Sequence, residues 1–313
     1  MKIGFLFPGQ GSQAVGMGKD LYDNYEQIRN VYKMVENETG IDIAKISFEG
    51  PEEILNTTKN TQLAVLTESL GILEILKENN IRPEMMAGLS LGEYTALIAS
   101  QTFNILDGIK LVCKRGEIMQ NYVPKGNWKM SAIMGMSETD LKEVVDKVTE
   151  GFVAIANYNT KGQIVISGDE NGILEAEKIA KELGAKKVTR LNTAGPFHTS
   201  KLSVCSEKLL DELKNITTNN EKNNVVKNID GKLYSENDDI KEILANHIKN
   251  PVKFTTVLQT MYDSGIDTFI EIGPGRTLSG FVKRMKFEKP VKIMNINNVQ
   301  SLEQVIKEIK ENG

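Results

Sequence analysis

Histidine and cysteine are almost absent, with two of each in 313 residues. Cys113 and Cys205 lie too far apart to form a disulfide framework and suit a reducing, cytoplasmic compartment. His198 and His247 are also well separated, and no zinc-ligand spacing links them to the cysteines, so the chemistry expected here uses no metal and no bound cofactor. No segment approaches the roughly 18 apolar residues of a membrane span, and the apolar run in MKIGFLFPGQ is too short for a signal-peptide core, so no membrane association is expected. No block of Lys and Arg stands out, and a net charge of −4 argues against nucleic acid as a partner. Arginine is scarce too: six residues, at 29, 82, 115, 190, 276 and 284, against 32 lysines. Lysine is the default cation of this chain, so a planar guanidinium in an apolar setting asks for a reason.

What is present suffices for a substantial core, in one large domain or in a large one carrying a smaller one: 40% of residues are hydrophobic. KIGFLF at 2–7 reads as a short buried strand that stops at the Gly-rich loop Pro8-Gly9-Gln10-Gly11-Ser12-Gln13. Leu63, Leu66, Leu70, Leu73 and Leu76 are spaced for a helix over 61–78, and Pro83 prevents its return. EMMAG at 84–88 reads as a second buried parallel strand, followed by helical spacing through Tyr94, Leu97 and Ile98. A further helix is expected over 105–120 with Asn104 as its N-cap, and then a linker at Pro124-Lys125-Gly126. From 130 to 193 the order becomes strand, helix, strand, strand, helix, strand, that of a ferredoxin-like unit, with a Ser-x-x-Asp cap opening the first of its helices. It reads as an insertion, because α/β texture resumes with a helix over 199–214. ITTNNEKNNVVKN at 216–228 reads as a solvated connection, and GIDTFIEIGPG at 265–275 as a buried strand entering a tight turn.

Between the second strand and its helix stands Gly-Leu-Ser-Leu-Gly, residues 88–92. A serine on such a turn can be a nucleophile or only a helix cap. The nucleophile elbow needs these glycines, because a Cβ at either place would collide with the strand or the helix. The turn would lift the Ser90 hydroxyl clear of the sheet and aim the N–H of Leu91 at a developing oxyanion. The loop after the first strand opens into the same crevice in a parallel sheet, so Gln10 could give the second oxyanion N–H, although a plain turn or a phosphate cradle would have the same composition.

Seven motifs together resemble the malonyl-CoA:acyl-carrier-protein transacylase family, which includes the acyltransferase domains of fatty-acid and polyketide synthases. They are FPGQGSQAVGMG at 7–18, GLSLGEYTAL at 88–97, KRGEIMQ at 114–120, ANYNTKGQIVISG at 156–168, GPFHTS at 195–200, NPVKF at 250–254 and EIGPGRTLSG at 271–280. The resemblance implies an α/β-hydrolase-like large subdomain with a parallel sheet, residues 1–126 and 196–313, carrying the ferredoxin-like (βαββαβ) subdomain at 127–195. It implies transfer of a malonyl group from coenzyme A, through a malonyl-serine, to the phosphopantetheine thiol of acyl carrier protein. Fatty-acid synthesis is the first expectation, and a discrete polyketide acyltransferase or a serine esterase or thioesterase are the alternatives.

By the motif match Ser90 is the nucleophile, His198 the general base, Arg115 the clamp for the malonyl carboxylate, and Gln10 and Leu91 the oxyanion donors. Asp107, Asp140, Asp146 and Asp169 lie between serine and histidine, and none sits in a loop matching a triad aspartate, so the expectation is a Ser–His dyad oriented by a main-chain carbonyl. Guanidinium pairs with carboxylate bidentately, which gives Arg115 its purpose; without the motif it would read as a surface partner of Glu117. Phe197, a bulky aromatic, accompanies malonyl over methylmalonyl in the resembling enzymes, and Met119 could wall the same pocket or simply fill the core. The carrier protein is acidic in general, so Lys186, Lys187 and Arg190 are expected as docking cations, or as no more than a solvated strand face. Two positions depart from the family: Leu89 stands where a histidine is usual, and His247 where a glutamine is.

Overall fold

The computed structural model describes residues 1–192, 195–219 and 224–312. Strand β1 (Ile3–Phe7) leads through helices α1 (Lys19–Asn24), α2 (Glu26–Thr39), α3 (Ile43–Glu49), α4 (Glu52–Leu55) and α5 (Thr58–Glu78) to strand β2 (Met85–Gly88). Helices α6 (Leu91–Ala99) and α7 (Ile105–Asn121) follow. Then come β3 (Trp128–Met134), α8 (Glu138–Lys147), β4 (Val153–Thr160), β5 (Gln163–Asp169), α9 (Glu170–Glu182) and β6 (Lys187–Leu191). The chain closes with α10 (Ser203–Lys214), α11 (Ile240–His247), α12 (Phe254–Asp263), β7 (Thr268–Ile272), α13 (Thr277–Met285), β8 (Lys292–Ile296) and α14 (Val299–Asn312).

Two sheets result, one parallel with order β2-β1-β7-β8 and one antiparallel with order β4-β5-β3-β6. Strands β1 and β2 are apolar on both faces because both faces are covered. In β1, Ile3, Phe5 and Phe7 point into a core shared with α2, α5, α6 and α7, while Leu6 points into a second core with Phe254 and Met261 of α12 and Phe281 of α13. Each such fully buried side chain stabilises the fold by about 1.5–3 kcal/mol. The antiparallel sheet divides its residues in the same way. Ile133, Ile164 and Ile166 pack under α8 and α9, whereas Met130, Ala132 and Val165 join the main core. Tyr158 N–H donates to the Val252 carbonyl at 2.8 Å, and Val252 N–H to the Ala156 carbonyl at 2.9 Å, which ties this sheet to the segment before α12.

The elements read from the sequence appear, some with shifted ends. The leucine-spaced helix starts one turn early, at Thr58, and is buried on nearly every side. Asn104 caps α7 by accepting the Leu106 N–H at 2.9 Å, and the Ser137–Asp140 box on α8 has both its arms. The helix expected over 199–214 begins as a short 3-10 turn at Ser200–Leu202. The stretch read as a solvated connection is one only in part. Residues 220–223 lie outside the described residues, but Val225, Val226 and Asn228 are buried, and Val226 N–H donates to the Met86 carbonyl at 2.9 Å. Its two adjacent valines extend the β2 edge, and the Asn/Lys-rich composition around them hides this.

Candidate active site

Because β1, β2 and β7 run parallel, their carboxyl ends open on one edge. The loop 8–13, the turn at 88–90 and the Gly273-Pro274-Gly275 turn therefore meet there. Ser90 sits at the tip of the second, with φ 53° and ψ −97°, a backbone conformation costly for a residue with a side chain. The flanking glycines allow that turn. A methyl on Gly88 would overlap the backbone of Gly92, and one on Gly92 would overlap the Phe7 carbonyl oxygen. Gly9 lies against the Leu89 carbonyl with equally little room, so the Gly-rich loop and the elbow are in backbone contact.

The hydroxyl at this tip has two partners. His198 Nε2 lies 2.8 Å from Ser90 Oγ, and Arg115 Nη2 donates to the same oxygen at 3.0 Å. His198, with φ 58°, turns its ring so that Nδ1 faces the carbonyls of His247 at 3.1 Å and Asn250 at 3.2 Å. Carbonyls only accept, so Nδ1 carries the hydrogen and Nε2 presents its lone pair to the serine. Among the described residues no carboxylate touches this ring. Burial above all, then the neighbouring His247 and Arg115, hold the His198 pKa well below the ordinary histidine range, against the two carbonyl bonds that raise it. The ring is therefore neutral, and able to accept a proton, at neutral pH.

Arg115 is 1% exposed on α7 and has no carboxylate partner among the described residues. Glu117, its alternative partner on sequence grounds, pairs instead with Lys59 and Lys114. Arg115 Nη1 donates to Gln62 Oε1 at 2.6 Å, its guanidinium lies 4.9 Å from the centre of the Tyr94 ring, and its Nε has no hydrogen-bond partner among the described residues. Burial lowers its pKa from the usual arginine value. A buried cation next to the serine, held only by neutral groups, suits an anionic substrate group.

The remaining expected residues fall in two places. Leu91 follows the serine as the first residue of α6, and Gln10 lies in the loop pressed against the elbow. Met119 is buried, with its sulfur 3.3 Å from Gln62 Nε2, so it backs the amide that holds Arg115. Phe197, also buried, precedes His198 and packs by Gly195 and Val123. Lys186, Lys187 and Arg190 lie apart, on and beside β6, the edge strand of the antiparallel sheet. Arg190 is not a free cation, since Glu170 holds it at 2.6 Å and Glu177 at 3.0 Å.

Four site residues escaped the sequence reading: Gln62, Glu93, Asn228 and Tyr234. Asn228 Oδ1 accepts the Ser90 N–H at 2.8 Å, and its Nδ2 donates to the Gly88 carbonyl at 2.7 Å, so it clamps the elbow from a distant segment. Glu93 had a signal in the Ser-x-x-Glu spacing from Ser90; the others had none beyond their own side chains.

Residues 4–312 match the acyl transferase domain family. The chain is 41% identical to the malonyl CoA-acyl carrier protein transacylase of Bacillus subtilis, over 99% of this chain and 98% of that protein. It is 36% identical to the Haemophilus influenzae protein of the same name, over 97% and 98% of the two chains. Its structure is similar to that of malonyl CoA-acyl carrier protein transacylase from Clostridium perfringens, with a TM-score of 0.93 and 43% identity over 99% and 98% of the chains. It is also similar to a malonyl-transacylase solved in complex with its type II PKS acyl-carrier protein, with a TM-score of 0.93 and 31% identity over 98% and 100%.

Proposed function

The chain belongs to the acyl transferase domain family, and on that premise we propose that Ser90 and His198 carry malonyl from coenzyme A to the phosphopantetheine thiol of an acyl carrier protein. The protein is an acyl-carrier-protein S-malonyltransferase. The observation that carries the reading of the site is the meeting of a buried, carboxylate-free Arg115 and a neutral His198 on one serine oxygen.

The cycle follows from that arrangement. Ser90 Oγ attacks the thioester carbonyl while His198 Nε2 takes its proton. Charge that develops on the carbonyl oxygen is met by the N–H groups of Leu91 and Gln10, at the positive end of α6. The imidazolium is steadied by the carbonyls of His247 and Asn250. It returns its proton to the departing coenzyme A thiolate as the C–S bond breaks, leaving malonyl on Ser90. The carrier thiol then gives its proton to His198, attacks the malonyl-serine, and the steps reverse. Arg115 takes the malonyl carboxylate as a bidentate partner, while Met119 and Phe197 close the pocket wall. A dyad without a carboxylate is a weak base, which favours waiting for a thiol over hydrolysis and sets this reading apart from an esterase or thioesterase.

The two sheets support the finer fold reading. The order β2-β1-β7-β8 suits an α/β-hydrolase-like subdomain from 1–126 and 196–313. The order β4-β5-β3-β6 suits a ferredoxin-like subdomain at 127–195. Lys186 and Lys187 on that subdomain are the cations offered to an acidic carrier. No helix among the described residues is long and apolar enough to cross a membrane. We take the enzyme as cytoplasmic and without a bound cofactor, since a serine, an imidazole and a guanidinium supply the chemistry it needs. Fatty-acid synthesis is the pathway proposed; likeness to the transacylase bound to a type II PKS carrier keeps a polyketide role as the second reading.

Mass spectrometry of the protein mixed with malonyl-CoA tests the proposal. A malonyl adduct on Ser90 that discharges to added carrier thiol is expected, and Ser90→Ala should form none. Rapid release of free malonate without a lasting adduct would point to a hydrolase instead.

A further inference from the structure

Ser90 and Glu93 have the spacing of a capping box, in which serine and glutamate satisfy each other's backbone N–H groups. Here neither does so. The serine makes no side-chain cap bond, because its hydroxyl is occupied by His198 and Arg115. The Ser90 N–H, which a boxed glutamate would accept, goes to Asn228. Glu93 is thereby released for other partners, inside the protein and fully buried. Its Oε1 accepts the Tyr234 hydroxyl at 2.8 Å and the Asn228 N–H at 3.2 Å. Its Oε2 stands 3.2 Å from His247 Nδ1, at ion-pair distance but off the line of a hydrogen bond.

His247 is 1% exposed, and its Nε2 has no partner among the described residues. It touches the base twice. Its carbonyl accepts His198 Nδ1–H, and its ring centre lies 4.8 Å from that of His198, the planes 35° apart. A buried carboxyl group either keeps its proton or finds a countercharge, and His247 is the only cation-forming group at ion-pair distance from Glu93 among the described residues. We propose that Glu93 and His247 form a buried carboxylate–imidazolium pair that positions His198 and keeps a positive charge beside it. The carboxylate fixes where the carbonyl of residue 247 lies, so it fixes the His198 ring relative to the serine on the same helix as Glu93. The charge disfavours a second imidazolium next to it, which keeps His198 neutral and ready as base. The effect of His247 on the His198 pKa, second only to burial, has this sign. The charged and titratable groups facing the two rings are Glu93 from α6, Tyr234 from the segment before α11, and Arg115 from α7, which acts on His198 with the same sign as His247.

The role in transfer rests on the function proposed above; the charge beside His198 does not, so the two are tested separately. The chain has two histidines, so its ring-proton NMR spectrum reports both without ambiguity. His247→Gln keeps the carbonyl and removes the charge, and His198 should then titrate roughly one pH unit higher than in the unmodified protein. Glu93→Gln removes the carboxylate partner of His247 and should move His198 in the same direction. Equal His198 midpoints in all three proteins overturn the proposal; were His247→Gln not to fold, an unmoved midpoint in Glu93→Gln would do so alone. The acid limb of Ser90 acylation by malonyl-CoA should move up in pH by the same amount, because the base must be neutral to act. A limb that stays in place while the ring shifts overturns the positioning role. Absence of a serine adduct in the unmodified protein would instead overturn the transfer reading.

Discussion

Arg115 decides which acyl group the site accepts. Its guanidinium is buried against Gln62, Ser90 and the Tyr94 ring, with no carboxylate at ion-pair distance among the described residues, so an acetyl group would leave it without an anion. Leaving a buried charge unpaired costs about 3–5 kcal/mol, or roughly two to four decades in rate. Arg115→Ala should therefore lose malonyl kcat/KM by about that factor while acetyl kcat/KM rises relative to it; steady-state rates with the two thioesters compare them, and an unchanged ratio removes the clamp. Arg115→Lys should restore little of the loss, since an ammonium cannot make the two-pronged contact. This residue was legible because arginine is rare here and lay within a motif. Gln62 and Asn228 were not. Neutral amides carry no charge pattern or periodicity, and what makes them matter is a partner far along the chain, such as Ser90 for Asn228.

At the scale of elements, the elbow depends on the close approach of β1, β2 and α6. Gly92 opens that helix's first turn directly over the Phe7 carbonyl, so the helix can approach the strand only if residue 92 has no Cβ. Gly92→Ala would push α6 off the sheet edge, carrying Ser90 away from His198. A loss of about 3 kcal/mol or more in urea unfolding, together with loss of serine acylation, is expected. A variant with full stability and full acylation would show that the helix does not need this contact. The strands and the helices flanking the elbow could be read from the sequence, because their apolar spacing and glycine punctuation are local. The 216–228 stretch could not be read correctly. Its valines pair with β2 only because the fold brings them there, and a window dominated by Asn and Lys reads as solvent-exposed.

For the molecule as a whole, a buried acid outside the site couples stability to pH. Glu68 of α5 is fully buried, and neither carboxyl oxygen has a hydrogen-bond partner among the described residues. Burial, with a smaller contribution from Asp20, pushes its pKa from 4.5 up to about 8. An acid whose folded pKa lies above its unfolded value favours the folded state fully only while both forms are protonated. From about pH 4.5 upward the unfolded chain gives up this proton first, so stability falls with each unit until the folded protein ionises near pH 8, and then levels off. At 1.36 kcal/mol per unit the loss amounts to roughly 4–5 kcal/mol across that window. Glu68→Gln keeps the shape and has no proton to lose. Its stability should match the parent near pH 4.5 and exceed it progressively toward pH 8, as read by chemical denaturation at several pH values. A gap that does not widen with pH would mean that Glu68 finds a countercharge when it ionises. The serine, Arg115 and His198 are untouched by this change, so malonyl transfer at neutral pH should be retained while the fold gains stability.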